Sequence, residues 1–421
     1  MVAQSRRNRT RPARDFGIFW AAQTISVAGD AFAYLAVPLL VLQVTGSVAQ
    51  MGLLTGAAGA ASVLSGVFSG VLVDRVDRRR LMIVCDVGRL VLYGLVPVAW
   101  LFGPQVWLLF LVLPIAEALG MTFQVASVTA VRSLVDADRI TEANGRIYAT
   151  YAAAGVGGPL LAGLTSAALG ATAAIAVNAV SFAGSALGIY LVRLRPPTAD
   201  PTSPSPRPRP WAEFLAGVRF LWREPVLRAL TVLLSFFIFL TFGLTDVIIY
   251  HVRHDLGGSD RTVGLVLGLG ALGTIAGALV VAPLRRRQGF GVTWIGAHLV
   301  CAAAVAGIGV AGTVPVLTAV VAGYLCTLSV SGICSMSLRQ EITPGHLLGR
   351  VTSAFWSTHF SLGPVGAAVL TWGAGRYGVT AVCLTAGAGC LLVALSALAT
   401  AIRRTGRTPR GTEAREMLES S

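Results

Sequence analysis

Lysine is absent from the 421 residues, and charge of either sign is scarce: acids and arginines make up 12% of the chain, with 19 acids against 33 bases. So small a charged fraction beside 55% hydrophobic residues excludes an ordinary soluble domain. The net charge of +14, which in a soluble chain would point to nucleic acid, needs another explanation here, and no nucleic-acid partner is expected. Phosphate loops, a GxSxG elbow and clusters of His and Glu at metal-ligating spacing are all missing, so neither enzyme activity nor ATP hydrolysis nor a cofactor is expected. Cys85, Cys301, Cys326, Cys334, Cys383 and Cys390 contain no CxxC pair and have no His at ligand spacing, which leaves them as small packing residues. His251 and His254 stand three apart with no third ligand, and no metal site is expected.

What the chain does have is long apolar runs, and its mean hydropathy is +0.73. Runs long enough to cross about 30 Å of hydrocarbon lie at roughly 16–42, 47–73, 81–102, 105–131, 143–168, 171–192, 226–250, 262–284, 291–312, 314–338, 349–373 and 378–402. This predicts an all-α membrane protein with twelve spans. The first run follows five arginines, yet it is too long for a signal peptide and lacks a small-x-small cleavage site, so it reads as a retained span. Placing the N-terminus inside puts Arg6 to Arg14, Arg75 to Arg89, Arg132 to Arg146, Arg193 to Arg228, Arg285 to Arg287, Arg339, Arg350 and Arg403 to Arg415 at cytoplasmic loops and helix ends. Only Arg253, Arg261 and Arg376 fall outside. The positive charge thus obeys a topological rule, and both termini are expected in the cytoplasm of a multi-pass protein of the plasma or inner membrane.

Residues 193–210, RLRPPTADPTSPSPRPRP, are too rich in proline to pack and divide the chain in two. Beyond them Trp211, Phe214, Leu215, Val218, Leu221 and Trp222 recur at helical spacing, which predicts a short amphipathic helix on the membrane surface. The expected organisation is a basic arm at 1–15, a six-helix half at 16–192, a linker with its helix at 193–225, a second six-helix half at 226–402 and a tail at 403–421. A weak repeat supports the division: GRIYATYAAAGVGGP at 145–159 is similar to GRVTSAFWSTHFSLGP at 349–364. Repeated halves of this kind place a substrate path at their interface.

Three segments carry a family resemblance. The stretch GVLVDRVDRRR holds Gly70, Leu72, Asp74, Arg75, Arg78 and Arg79 in the pattern G-x-L-a-D-R-x-G-R-R, with Asp77 where the pattern has glycine. Gly145, Ala154, Gly158, Pro159, Ala162 and Gly163 fit G-x8-G-x3-G-P-x2-G-G with alanine at two glycine positions. The third is the segment WAEFLAGVRFLWREPVLRAL before span seven. Over essentially its full length the chain resembles the major facilitator superfamily, in the branch that contains macrolide-efflux proteins and the enterobactin exporter.

The resemblance implies two pseudo-symmetric six-helix halves and alternating access. It implies a cytoplasmic latch in which Asp74 meets span eleven or an arginine such as Arg132 or Arg350, with Arg75 and Arg78 beside it and Arg79 and Arg80 holding the loop inside. Glycine at position 77 would favour a positive φ, which Asp tolerates better than most side chains. The second motif is associated in the family with export by antiport, whereas its small residues and proline also suit plain helix packing. The resemblance further implies that spans one, four, seven and ten line the central cavity.

Acids within the spans survive mainly when they face a cavity, since a central charge costs about 2.5–3.5 kcal/mol. Asp30, Glu117 and Asp246 qualify, on spans one, four and seven. Gln23, Ser26, Asp30 and Tyr34 make a polar stripe on span one, and Glu117, Met121 and Gln124 make another on span four. Glu117, with only small or apolar neighbours in sequence, is the first choice for carrying a proton, followed by Asp30 and Asp246. Phe236, Phe239 and Phe242 share helical spacing with Asp246 and could wall a site for an amphipathic or cationic substrate, or could equally face lipid. Trp356 and His359 share a face of span eleven, where a histidine is more often a helix contact, as His298 is on span nine. Together these features predict a monomeric, proton-coupled antiporter that exports a hydrophobic or amphipathic drug, antibiotic, siderophore or secondary metabolite and confers multidrug resistance. Import or facilitated entry of a small metabolite, and a receptor without transport, are the alternatives.

Overall fold

The computed structural model describes residues 2–135, 140–192, 210–344 and 347–404, without the side chains of 2–13, 67, 70, 71, 74, 129, 132, 140–142, 144, 148, 210–213 and 404. The expected linker at 193–209 and the tail beyond 404 lie outside the described residues, as do the side chains of Asp74 and Arg132 on which the latch was placed. Every described element is helical. In the first half these are α1 (Val2–Thr45), α2 (Val48–Arg75), α3 (Arg78–Trp100), α4 (Val106–Leu134), α5 (Ile140–Leu169) and α6 (Ala171–Leu191). Next come α7 (Pro210–Arg223), α8 (Pro225–Thr241), α9 (Leu244–Tyr250) with a π turn at His251–Asp255, and α10 (Asp260–Gly270). The chain continues as α11 (Leu272–Val310), α12 (Val314–Ile342), α13 (Leu348–Phe360), α14 (Gly363–Tyr377) and α15 (Val379–Ser396).

Among the described residues ten stretches are long and apolar enough to cross a bilayer, and one of them, Asp260–Val310, runs for 51 residues. At 1.5 Å per residue that is more than twice the hydrocarbon thickness. It folds back at Gly289, whose φ of 78° and ψ of 174° leave helical space, and therefore makes two passes. The α13–α14 pair supplies the last, so twelve passes result. Such a chain must satisfy its backbone internally, which is why each apolar run becomes a helix. The repeat is also visible in the turns: Gly170 joins α5 to α6 with φ 87° and ψ 158°, and Gly378 joins α14 to α15 with φ 85° and ψ 156°. Both are left-handed angles that favour glycine.

The loop between α2 and α3 is only Val76 and Asp77. Asp77 does not take the positive φ considered for it: its φ is −57°, and its side chain accepts a hydrogen bond from the Arg80 amide at 2.8 Å as the N-cap of α3. The replacement of glycine by Asp therefore gains a cap and costs no strain. Arg79 is spent within its own half, donating from Nε to the Ile189 carbonyl at 3.2 Å and from a terminal nitrogen to the Tyr190 carbonyl. The amphipathic segment forms α7, which packs on α13 with Leu221 buried and Phe214 and Val218 half-buried, while Leu215 and Trp222 stay exposed. Gly217 brings the α7 backbone against the Arg350 carbonyl.

Successive passes alternate direction, so one side of the molecule carries the start of α1, the 76–77 turn and the ends of α6 and α7 that flank the linker, and is here termed the linker side. The other carries Gly46, Gly170, Gly257 and Gly378 and is termed the distal side. Within the first half α1 packs on α5 and α6, and α3 on α4 and α6; within the second, α11 packs on α12 and α15. The halves meet through α2 with α14 and through α5 with α10. Both crossings lie toward the distal side and are lined by small residues. A methyl at Gly163 would stand 2.8 Å from the Gly264 Cα, and one at Gly56 would stand 2.7 Å from the Pro364 carbonyl oxygen. Backbones approach this closely only where side chains are missing.

Candidate functional site

Between the halves lies a cavity of about 880 Å³. The polar stripe of α1 faces it along its length: Gln23, Ser26, Asp30 and Tyr34 all line the wall. So do Glu117, Met121 and Gln124 from α4, and Phe242 and Asp246 from the broken seventh pass. Phe239 does not. Its backbone is pressed against Gly366 of α14, and the wall is made instead by Leu234, Phe237, Ile238, Thr241, Phe242 and Thr245. Phe236 is exposed on the outer surface. A break in the helix at Phe242–Gly243 puts Asp246 in the first turn of α9, buried and facing the Thr55 hydroxyl of α2.

The residues that sequence reading missed are basic. Arg89, grouped there with the basic loop, stands eleven residues inside α3, and is buried. Its terminal nitrogen donates to Asp30 at 2.5 Å, and its guanidinium lies 4.0 Å from the Phe182 ring centroid. A methyl at Gly120, one turn beyond Glu117, would stand 3.4 Å from the Arg89 Cζ, so this cation packs on α4 as well as α1. Glu117 and Tyr93 fall within its electrostatic reach, and Asp86, fully buried one turn earlier on α3, faces Ser185 of α6. Asp30, Glu117 and Asp86 thus share one arginine. Three ionised carboxyls around a single guanidinium would leave negative charge at this wall that Arg89 alone does not balance. The spacing Asp86, Arg89, Tyr93 within an apolar run was the signal available in sequence.

Arg339, assigned from sequence to a helix end, is likewise buried and lines the opposite wall. Its guanidinium lies 3.7 Å from the Phe355 ring centroid and 5.3 Å from that of Trp356. Trp356 stacks on Phe360 at 5.3 Å, His359 sits 5.7 Å from Trp356, and Phe360 meets Phe242 edge-on at 6.3 Å. His298 takes no part in the wall; it is buried against Trp294, whose carbonyl its Nδ1 meets at 2.9 Å.

On the distal side the cavity is sealed by contacts between halves. Tyr34 and Thr245 hydroxyls are 3.0 Å apart, and the Gln43 amide donates to Asp260 at 2.7 Å. Arg253 adds an ion pair to Asp260 at 3.4 Å. In the second motif, Gly158 packs against Ala31 of α1, while Pro159 and Gly163 meet Gly264 of α10; Gly145 faces open space. Gly70 and Asp74 belong to α2, with the Asp74 side chain outside the description, and Arg75 is exposed with Arg78 half-buried. His251 and His254 each meet Asp255, at 2.7 and 2.8 Å, and no cluster of three or more His, Cys, Asp or Glu able to hold a metal occurs among the described residues.

Twelve passes in two halves about a polar-lined cavity is a transporter architecture, and comparison with known proteins agrees. The Major Facilitator Superfamily profile matches residues 19–368. The chain belongs to that family. It is 27% identical over 379 residues to the enterobactin exporter EntS of Citrobacter koseri, covering 86% of this chain and 85% of that protein. It is also 27% identical over 356 residues to the multidrug efflux pump Tap of Mycolicibacterium fortuitum, covering 83% and 86%. Among solved structures, the nucleoside transporter NupG superposes with a TM-score of 0.73 at 14% identity, over 91% of this chain and 98% of that one. A bacterial homologue of the iron transporter ferroportin in an inward-facing state gives 0.67 at 18% identity, over 91% and 98%. At these identities the solved structures speak to the fold. The family consists of membrane transporters and not enzymes, and of the proteins named EntS is an exporter and Tap an efflux pump.

Proposed function

We propose that this chain is a proton-coupled antiporter that exports a hydrophobic or amphipathic compound by alternating access, with Glu117 and Asp30 handling the proton. The observation that carries the reading is the cluster of half-buried Asp30 and Glu117 around buried Arg89 on the cavity wall. With Asp30 held by Arg89, and Asp246 enclosed beside Thr55, Glu117 is the half-buried cavity carboxyl without a hydrogen-bonded cation, and the group freest to exchange a proton. Asp246, enclosed beside Thr55 at the distal seal, couples the same chemistry to opening on that side. The arginine distribution supports a cytoplasmic linker side, and in that orientation the distal seal closes the cavity outward and substrate enters from within. Closure of the linker side then falls to Asp74, Arg75 and Arg78 against span eleven, and the distal seal must release. Similarity to EntS and Tap supports export over import.

The test is transport in inverted membrane vesicles energised by a pH gradient, using substrates found by a susceptibility panel in a strain lacking its own exporters. Gradient-driven uptake is expected for the wild type. Glu117→Gln should lose the dependence on the gradient while retaining substrate binding, and unchanged gradient-driven transport in that variant would remove Glu117 from the mechanism.

A further inference from the structure

Arg339 is a buried cation without a counter-ion among the described residues. It is 1% exposed, and its Nε and Nη1 atoms have no hydrogen-bond acceptor among the described residues. The remaining terminal nitrogen reaches only the Met336 sulfur, at 3.2 Å, which is a weak acceptor. The nearby acid cannot help, because Glu341 is paired with Arg285 at 2.7 Å. Leaving an arginine in this condition is costly, and contacts with Phe355 and Trp356 offset only part of that cost. The other buried arginine, Arg89, shows the ordinary solution, a carboxylate at 2.5 Å.

The surroundings explain what would complete the site. Arg339 and His359 both line the cavity, and Nδ1 of His359 also has no partner. Around them Trp356 and Phe360 stack nearly parallel, with 17° between planes, and form a flat apolar shelf. The first half matches its buried cation Arg89 to Asp30, whereas this unpaired cation faces the cavity from the second half, whose lining acid Asp246 sits at the distal end beside Thr55. Rings on the guanidinium also fix its plane, which suits paired hydrogen bonds to a planar oxyanion.

We propose that Arg339 binds the anionic group of the transported compound, a carboxylate carried on a flat apolar or aromatic body that lies along Trp356 and Phe360. This deepens the transport reading above and rests on the cavity being the substrate site. It also replaces the cationic substrate considered for Phe236, Phe239 and Phe242 beside Asp246, since Phe236 faces outward and Phe239 lies off the wall.

Equilibrium binding to the full-length chain in lipid nanodiscs tests this with two isosteric probes, 2-naphthoate and the uncharged 2-naphthamide. Wild type should bind the naphthoate at least about tenfold more tightly. Arg339→Gln should abolish that preference and leave naphthamide binding as it was. Should Arg339→Gln not fold, Arg339→Lys, which keeps the charge and loses the planar fork, must weaken naphthoate several-fold with naphthamide unchanged. Equal affinity of the wild type for both probes, no binding of either at millimolar concentration, or a preference that survives loss of Arg339 would overturn the inference. Failure of export is separable: naphthoate preference with no gradient-driven uptake in inverted vesicles refutes the antiporter and leaves the anion site, and the opposite pattern does the reverse.

Discussion

Replacing Gly163 by alanine is expected to open the distal side. The new methyl would stand 2.8 Å from both the Gly264 Cα and the Asp260 carbonyl oxygen and 3.1 Å from the Gly264 nitrogen. The first two distances fall about 0.6 Å short of the 3.4 Å at which ordinary contact begins, and all three atoms are backbone, so no side chain can turn aside. Relief requires α5 and α10 to part. Overpacking of this degree costs about 1–3 kcal/mol, and the cost falls only on the conformation in which the two helices touch. A penalty borne by one state moves the equilibrium by roughly five- to 150-fold. Gly145 provides the control, because it lies on the same helix and in the same motif yet has nothing within 4 Å of the added methyl. Spin labels at Gln50 and Tyr377, on the distal ends of α2 and α14, would report the opening in a background with the native cysteines replaced. Longer distances and slower transport should appear in Gly163→Ala, more so in Gly163→Val, and in neither respect for Gly145→Ala. Wild-type distances in a folded Gly163→Val protein would refute the account of the crossing as the distal seal.

Two further substitutions test the local chemistry. Arg89→Ala strands Asp30, and after allowing for the cavity water that reaches a side chain 41% exposed, the loss of stability is about 1–3 kcal/mol. Asp30→Asn combined with Arg89→Gln should recover most of it in thermal unfolding while coupling to the gradient stays lost; equal loss in single and double variants would show that the pair is not coupled. At the α2–α3 turn, Asp77→Ala should cost about 1 kcal/mol and Asp77→Gly only a few tenths. Glycine and alanine variants of equal melting temperature would mean the cap is not the role of this side chain.

Topology was legible because a bilayer demands of every pass the same thing, about twenty apolar residues, and the chain meets that demand twelve times. The stripe Gln23, Ser26, Asp30, Tyr34 was legible for a related reason, as polar groups in such a run need a cavity. Arg89 and Arg339 were not, because counting arginines toward a charge rule treats any arginine near a helix end as outside the membrane. Partners decide the matter, and Asp30, Phe182, Phe355 and Trp356 come from other helices. Phe239 was misplaced for a geometric reason: residues three apart drift by about 60° around a helix at each step, so Phe236, Phe239 and Phe242 do not share one face. The motif glycines announced close packing without naming the neighbour, and only the fold separates Gly163, pressed on α10, from Gly145, which touches nothing.

The chemistry of the distal seal suits a contact that must form and break in every cycle. Lipid offers no hydrophobic reward for bringing apolar helices together, so the crossings of α2 with α14 and α5 with α10 depend on close contact between small residues. Such contacts are individually weak and have no bonding direction, and they separate without leaving a polar group unsatisfied. The directional part is supplied by Tyr34 with Thr245 and Gln43 with Asp260, whose groups can bond to water when the halves part. Arg253 adds charge to the same point. Gln43→Leu should therefore strand one oxygen of Asp260 only in the closed state and, like Gly163→Ala, lengthen the Gln50 to Tyr377 distance. Gly56→Ala, whose methyl would stand 2.7 Å from the Pro364 carbonyl oxygen at the other crossing, shares no partner with Gln43→Leu, so the effects of those two on the opening equilibrium should add. A double variant no more open than either single one would mean that glycine packing and the polar bridge are not independent supports.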